Sequence, residues 1–480
     1  MRNQMNRARF AGAAAIVLAA GVSSIAGCDR VKNELLEPQN PGIVDSTAVL
    51  SPAAAAALKV GAIGRLKVLS NDPNATGFAW SSLWVASGLF TDEFSNSDFQ
   101  NSQNDVDART ISPDNVVSDY SRITQSRGFV RDAIVAEKQW EPQKLTDIAE
   151  LYLGLGFLEM SLAEDFCNGI PLGSNKQGQV DYSSPEFKPL TNQEVYAIAL
   201  LHVDSAITTI GTLTDAASTF VKQAALITKA RILIDQNRNN AGNAASLVPA
   251  SVVPSAYQYL WTSSTSSNND DIGIWQFNNS VGRTTVGDSA ILFQGKTFTT
   301  LNAIPFASIK DPRVPVLDGK GAGLSSEDGL TPFFLQQIWK NRDDPVPMVS
   351  GIDARLIEAE ARLNASDIPG MMTILNALRT APPKIGTFQP AAMTAIATPP
   401  ATIDDATTLF FREKAFWTFG RGQRMGDLRR LVRQYGRSQG NVFPSGQQFK
   451  GVNYGSDVNF PVPDGERVNP QFKGCLDRNA

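Results

Sequence analysis

Apolar residues recur at three- and four-residue spacing over most of this chain, a period that predicts a mainly helical protein. Ser51-Pro52 reads as a helix cap with proline in the first turn, and Ala-rich sequence carries that helix to about Leu69. A second pattern runs from about Phe78 to Phe90, with Trp80 and Trp84 on one face, and a third from Asp119 to Trp140. Residues 95–116 are rich in Asn, Asp, Ser and Gln, the composition of a loop. The block 143–236 is the most helix-like. Leu145, Ile148, Ala149 and Tyr152 form one stripe and Leu151, Leu155, Leu158 and Leu162 a second, so that helix packs on two sides. After a Gly/Pro-rich loop at 168–190, Thr191 and Glu194 are spaced for a capping box ahead of Leu200, Val203, Ile207 and Ile210. Phe220, Ala224, Ile227, Ala230 and Ile234 mark the next helix. Pairs of helices of this length joined by short loops suggest a tetratricopeptide-like stack, although no strict repeat is visible.

The pattern breaks at 238–345, where Asn, Ser, Thr and Gly dominate and aromatic residues are scattered between them. This stretch reads as irregular structure and short strands inserted into a helical scaffold, the kind of region that carries binding. Helical period returns with Ile352, Leu356, Ala359 and Leu363. Pro369-Gly370 turns the chain into a partner helix of Met371, Ile374, Leu375 and Leu378. A Pro/Ala/Thr linker covers about 381–402, followed by an aromatic helix, a basic helix from Gln423 to Arg437, and a Gly/Pro/Asn-rich tail from about Gly440.

The N-terminus adds a location. Arg2, Arg7 and Arg9 precede an apolar run from Phe10 to Val22, and Ile25-Ala26-Gly27-Cys28 closes it. That is the layout of an export signal, and the cysteine at the cut resembles a bacterial lipobox, whose thiol receives a diacylglyceryl group. The run is too short to span ~30 Å of hydrocarbon comfortably. Residues 1–27 are therefore expected to be a signal peptide, Cys28 a lipid anchor, residues 28–50 a spacer, and residues 51–480 a single helical domain carrying the 238–345 insertion. The whole chain has net charge −4 and no basic run stands out, so nucleic-acid binding has no electrostatic footprint. With Cys28 acylated, Cys167 and Cys475 remain, and in an oxidising setting they form either a disulfide or two free thiols. A single histidine and so few cysteines leave little material for a transition-metal site; no metal or cofactor is expected, and His202 reads as a satisfied, partly buried side chain.

Four segments resemble the SusD/RagB family of outer-membrane lipoproteins. They are the apolar helix from Ala149 leading to the Gly169-Ile-Pro-Leu172 turn; Leu190 to Tyr196 with Asp204 to Ala206; Ala354 to Arg362 followed by Leu375 to Arg379; and Arg412-Glu413 with Phe419-Gly420 and Arg424 to Arg430. One departure is that Gly420-Arg-Gly-Gln423 stands where the family carries Glu-Gly before the arginine. The motifs themselves read as scaffold: Arg424 and Asp427 can pair along one helix face, Arg412 and Glu413 can join them, and Glu358 and Glu360 point to different sides of their helix.

The resemblance implies a surface protein that captures a glycan or a peptide and sits as a lid over a SusC/RagA-like TonB-dependent transporter, on the outer face of the outer membrane. Sugar recognition needs aromatic rings with neighbouring amides and carboxylates, a composition found in Phe94, Asn96, Asp98, Phe99 and Asn101 and in Trp275, Phe277 and Asn278. The same composition serves loops anchored by buried rings. No nucleophile elbow, HExxH motif or P-loop is present, so the chain reads as a binding protein and not an enzyme. A glycoside hydrolase, whose carboxylate pair needs no motif, and a purely structural transporter adaptor are the other readings.

Overall fold

In a computed structural model, residues 51–72, 82–173, 180–266 and 270–480 are described. The signal, Cys28 and the spacer lie outside these residues, as do Phe78 and Trp80. The helices are α1 (Pro52–Arg65), α2 (Leu83–Phe90), α3 (Asn101–Asp107), α4 (Val117–Trp140), α5 (Leu145–Asp165), α6 (Asn192–Ile210), α7 (Ala216–Gln236), α8 (Ala241–Leu247), α9 (Gly351–Asn364), α10 (Ile368–Thr380), α11 (Ile403–Trp417) and α12 (Arg424–Arg433).

The core is built around α5. Its second stripe, Leu151, Leu155, Leu158 and Leu162, is buried throughout; of the first, Ile148 and Ala149 are buried, Tyr152 is half-buried and Leu145 is exposed, and the helix packs against both α4 and α6. Gly156 lets α6 approach closely, because a Cβ there would lie 2.5 Å from Val203 Cγ2. Helix α6 starts where its box predicts: Glu194 N donates to Thr191 Oγ1 at 3.3 Å, and Thr191 N donates to Glu194 Oε2 at 2.7 Å. Helix α7 then packs on α6, and α9 pairs with α10 in the same antiparallel manner.

Three sequence expectations are revised. Residues 95–116 hold a strand and the short helix α3, whose buried face carries Gln103, Val106 and Asp107. Pro369 and Gly370 lie inside the first turn of α10, where the missing proline N–H is not needed; Asp367 caps that turn by accepting from Gly370 N at 2.8 Å. The 238–345 stretch begins with α8, which buries Ala241 and Ala244.

Beyond α8, the stretch contributes short strands that pair in antiparallel ribbons with one another and with strands from elsewhere in the chain. The strands are β1 (Asn71–Asp72), β2 (Phe94–Asn96), β3 (Gln258–Trp261), β4 (Asp271–Ile272), β5 (Thr284–Val286), β6 (Ala290–Phe293), β7 (Lys296–Leu301), β8 (Val316–Asp318), β9 (Phe334–Gln336), β10 (Val346–Ser350) and β11 (Ser445–Gly446). They pair as β1–β4, β2–β5, β3–β10 and β8–β9, with β6, β7 and β11 in one three-stranded sheet. The tail returns to the end of α5. Cys167 N donates to Phe460 O at 2.8 Å, Leu476 N donates to Asn168 O at 2.8 Å, and a disulfide joins Cys167 to Cys475.

Candidate functional site

Strand pairing brings the two aromatic stretches of the sequence together. Phe94 lies opposite Val286 and Asn96 opposite Thr284, and Asn278 Nδ2 donates to Thr284 O at 2.8 Å. Most of the candidate side chains then turn inward. Phe94 is fully buried and packs against Phe419 at 5.1 Å, and Phe277 is fully buried within a π-helical turn, Trp275–Ser280. Asn96 Nδ2 donates to Asn104 Oδ1 at 2.5 Å, and Asn278 bridges β5 and β9 by donating to Phe334 O and accepting from Gln336 N. Rings and amides so enclosed offer no face to a ligand, which corrects the reading of Phe94, Asn96, Asp98, Phe277 and Asn278 as ligand contacts. They hold the loop bases together, and Trp275, half-buried, packs on the core.

Phe99 and Asn101 are placed differently. Both are exposed, and Phe99 keeps 65% of its surface, the largest exposed aromatic ring among the described residues. The loop under Phe99 is rigid in its bonding. Asp98 Oδ1 accepts from Phe99 N at 2.6 Å, and its other oxygen faces Arg283 Nε at 3.5 Å. Lys450, from the tail, donates to Asp98 O at 2.7 Å and pairs with Asp328 at 3.1 Å. Asp328 in turn accepts from Leu330 N and Thr331 N, ordering the loop that bears exposed Leu330. Arg283, Asp328 and Lys450 come from three distant segments. No local pattern marks them, because only the tertiary fold brings them to Asp98.

Three acids lie buried behind β2. Burial, with help from Asp107, pushes the Asp92 carboxyl up to about 8, although Tyr454 donates to it at 3.1 Å. Burial likewise raises Glu93 to about 8, against the opposing pull of Arg424. Asp107 reaches about 6, raised by burial and held down by its bond from Asn96 N at 2.7 Å. Perturbed acids of this kind often mark catalysis. Here all three are wholly enclosed and therefore brace the strand from within.

The helix-borne motifs form the frame. Arg421 donates to Asp353 through two nitrogens at 2.7 and 3.2 Å, and Gln423 Nε2 adds a bond at 3.0 Å. Gly420 and Gly422 adopt φ of 68° and 64°, so the departure from the family pattern is a left-handed turn that aims Arg421 inward. Arg424 and Asp427 do not pair, contrary to the spacing argument. Arg424 donates to Thr91 O at 2.9 Å, while Asp427 binds Lys414 at 2.6 Å. Arg429 Nη1 donates to the carbonyls of Ala163, Glu164 and Phe166, satisfying acceptors left open at the buried end of α5. Glu360 is buried against Arg430 and Tyr435, whereas Glu358 points outward to Arg355. His202 Nδ1 meets Glu159 at 2.6 Å, and Glu159 also holds Arg127 at 2.8 Å. Burial alone would raise Glu159, but Arg127 and His202 hold it below the ordinary value. Among the described residues no group of three or more His, Cys, Asp or Glu is placed to hold a metal ion.

The chain superposes on solved structures along most of its length. A SusD-like carbohydrate binding protein from Bacteroides fragilis shares 12% identity at a TM-score of 0.60, over 88% of this chain and 99% of that one. The surface glycan-binding protein A from Bacteroides uniformis shares 14% identity at 0.59, over 88% and 99%. A laminarin binding SusD-like protein shares 14% at 0.56, over 89% and 99%. This chain has the SusD fold. No protein-family model and no curated protein matches it. On the SusD fold the motif segments take up scaffold positions: the Gly169–Leu172 turn follows α5, the Ala354–Arg362 segment is α9, and the arginine-rich segment is α12. No described helix is long and apolar enough to cross a membrane.

Proposed function

We propose that this chain is a cell-surface binding lipoprotein that captures an oligosaccharide and delivers it, as a lid, to a TonB-dependent outer-membrane transporter. The observation that carries the reading is the likeness over most of the chain to proteins described as glycan-binding. Phe99 supports it, since an exposed ring on a braced loop is the feature that stacks on the apolar face of a sugar. Asn101, exposed two positions on, supplies hydroxyl recognition. Lipid at Cys28 keeps this surface beside the membrane, on the outer face.

Affinity electrophoresis against a polysaccharide panel that includes laminarin, run with product analysis, tests the proposal. Retardation without released sugar is expected. Released sugar would make the chain a hydrolase. Absence of both, with co-purification of a large outer-membrane protein, would make it an adaptor, and retention only on a peptide panel would move the ligand class. For the anchor, Cys28→Ser should release the protein from the membrane fraction; retention of the variant would refute the lipid tether.

A further inference from the structure

A groove of about 470 Å³ lies away from Phe99, between the 309–313 loop, the end of α10, the linker around Ala392 to Thr394, and α11. Its size is in the range of small-ligand sites. Its floor is built. Arg313 is fully buried, held by Asp311 at 2.7 Å and Glu413 at 2.6 Å, with the rings of Phe416 and Trp417 over its guanidinium at 4.8 and 5.2 Å. Arg379 takes the other oxygen of Glu413 at 2.9 Å and donates to Thr394 O at 3.0 Å. Both carboxylates of the groove are thus occupied by the floor.

Two cations on the rim have no opposite charge paired with them among the described residues. Lys310 and Arg412 are exposed, and neither makes an ion pair or a side-chain hydrogen bond among the described residues. Lys310 also holds φ at 57°, a conformation uncommon for a residue other than glycine, asparagine or aspartate, so the loop sets its backbone in an unfavourable turn at this rim. The paired motif Arg412-Glu413 is divided by the fold: Glu413 serves the floor and Arg412 faces the groove. Four cations against two carboxylates leave the groove positive on a chain that is acidic overall. Ile309, Pro312 and Met393 add an apolar wall.

We propose that this groove binds an oxyanion, carboxylate or phosphate, with Arg412 and Lys310 as its contacts and the apolar wall against the body that bears it. A guanidinium offers a bidentate fork and an ammonium a point charge, and together they suit a single tetrahedral or planar oxyanion. The carboxylate of a uronic acid and free phosphate share this chemistry, and the probes separate them.

Calorimetric titration of the full chain with glucuronate, inorganic phosphate and glucose is the experiment. Glucuronate should bind, glucose should not, and added salt should weaken the binding. Binding of phosphate without glucuronate keeps the site and names free phosphate as the source. The double variant Lys310→Gln/Arg412→Gln should lose about tenfold in affinity with an unchanged circular dichroism spectrum, since both side chains are exposed. Arg362→Gln, a surface arginine outside the groove, should bind as the parent does. Failure of the parent to bind either anion, equal binding of glucose, or full affinity in the double variant would overturn the proposal.

Discussion

Arg421 and Asp353 give the sharpest test of how the scaffold is held. Their side chains are 1% and 2% exposed and 2.7 Å apart, joining the turn before α12 to the first turn of α9. Replacing Arg421 by Ala leaves Asp353 buried without its main counter-charge, a loss of about 3–5 kcal/mol at pH 7. The loss should depend on pH. Burial by itself would raise the Asp353 carboxyl, but Arg421 outweighs it and the group falls to about 2 from an ordinary 3.8. A depressed folded-state value stabilises above the unfolded value and ceases to as pH falls through the folded one, so the pair's contribution of about 2 kcal/mol disappears between pH 4 and 2. In the variant the same carboxyl moves above its unfolded value, so it destabilises at neutral pH and becomes harmless once protonated. The difference between parent and Arg421→Ala in urea unfolding should therefore be largest at pH 7 and shrink by at least half at pH 3. Asp353→Asn in the Arg421→Ala background should recover much of the loss at pH 7, because the amide carries no charge to leave unpaired. An equal difference at both pH values, or a difference below about 1 kcal/mol at pH 7, would refute the account.

Other substitutions separate surface from scaffold. Phe99→Ala should weaken retardation on glycan gels with no change in melting temperature, whereas Phe94→Ala should destabilise by about 3–5 kcal/mol in denaturant unfolding. Gly422→Ala should lower the melting temperature by several degrees and alter the near-ultraviolet circular dichroism of the Trp84–Trp261 stack, since its Cβ would meet Trp84 Cδ1 at 2.2 Å and its φ is 64°. Cys475→Ser should lower stability by about 2–5 kcal/mol, read as the urea midpoint, because the bridge closes a loop of 308 residues.

The helices were legible because their burial repeats at the helical period. The two stripes of α5 and the Thr191–Glu194 box needed no knowledge of the neighbours. The candidate contact residues were much less so. An amide beside an aromatic ring describes a sugar-binding face and an enclosed loop base equally well. Asn96 and Asn278 prove to bond neighbouring side chains and backbone, and only burial distinguishes them from Phe99 and Asn101. Spacing misled in α12 for a related reason. Three positions apart permits Arg424 to meet Asp427, but Lys414 and the Thr91 carbonyl, supplied by other elements, bind each of them instead. The Lys450–Asp98–Asp328 junction has no sequence signal at all, since its members meet only after the tail has crossed the fold.

That crossing has a kinetic side. The end of α5 is completed by Arg429, by the backbone of Phe460 and by Cys475, all more than 250 positions further along the chain. Contacts so remote form slowly, since a long loop must close before any of them is rewarded. The central helix should therefore stay frayed at that end until the final segments arrive, and an oxidant is needed to lock them. Folding should thus end with two late events, arrival of the tail and oxidation of Cys167 and Cys475, and refolding under reducing conditions should leave a population with its helices formed and its tail undocked.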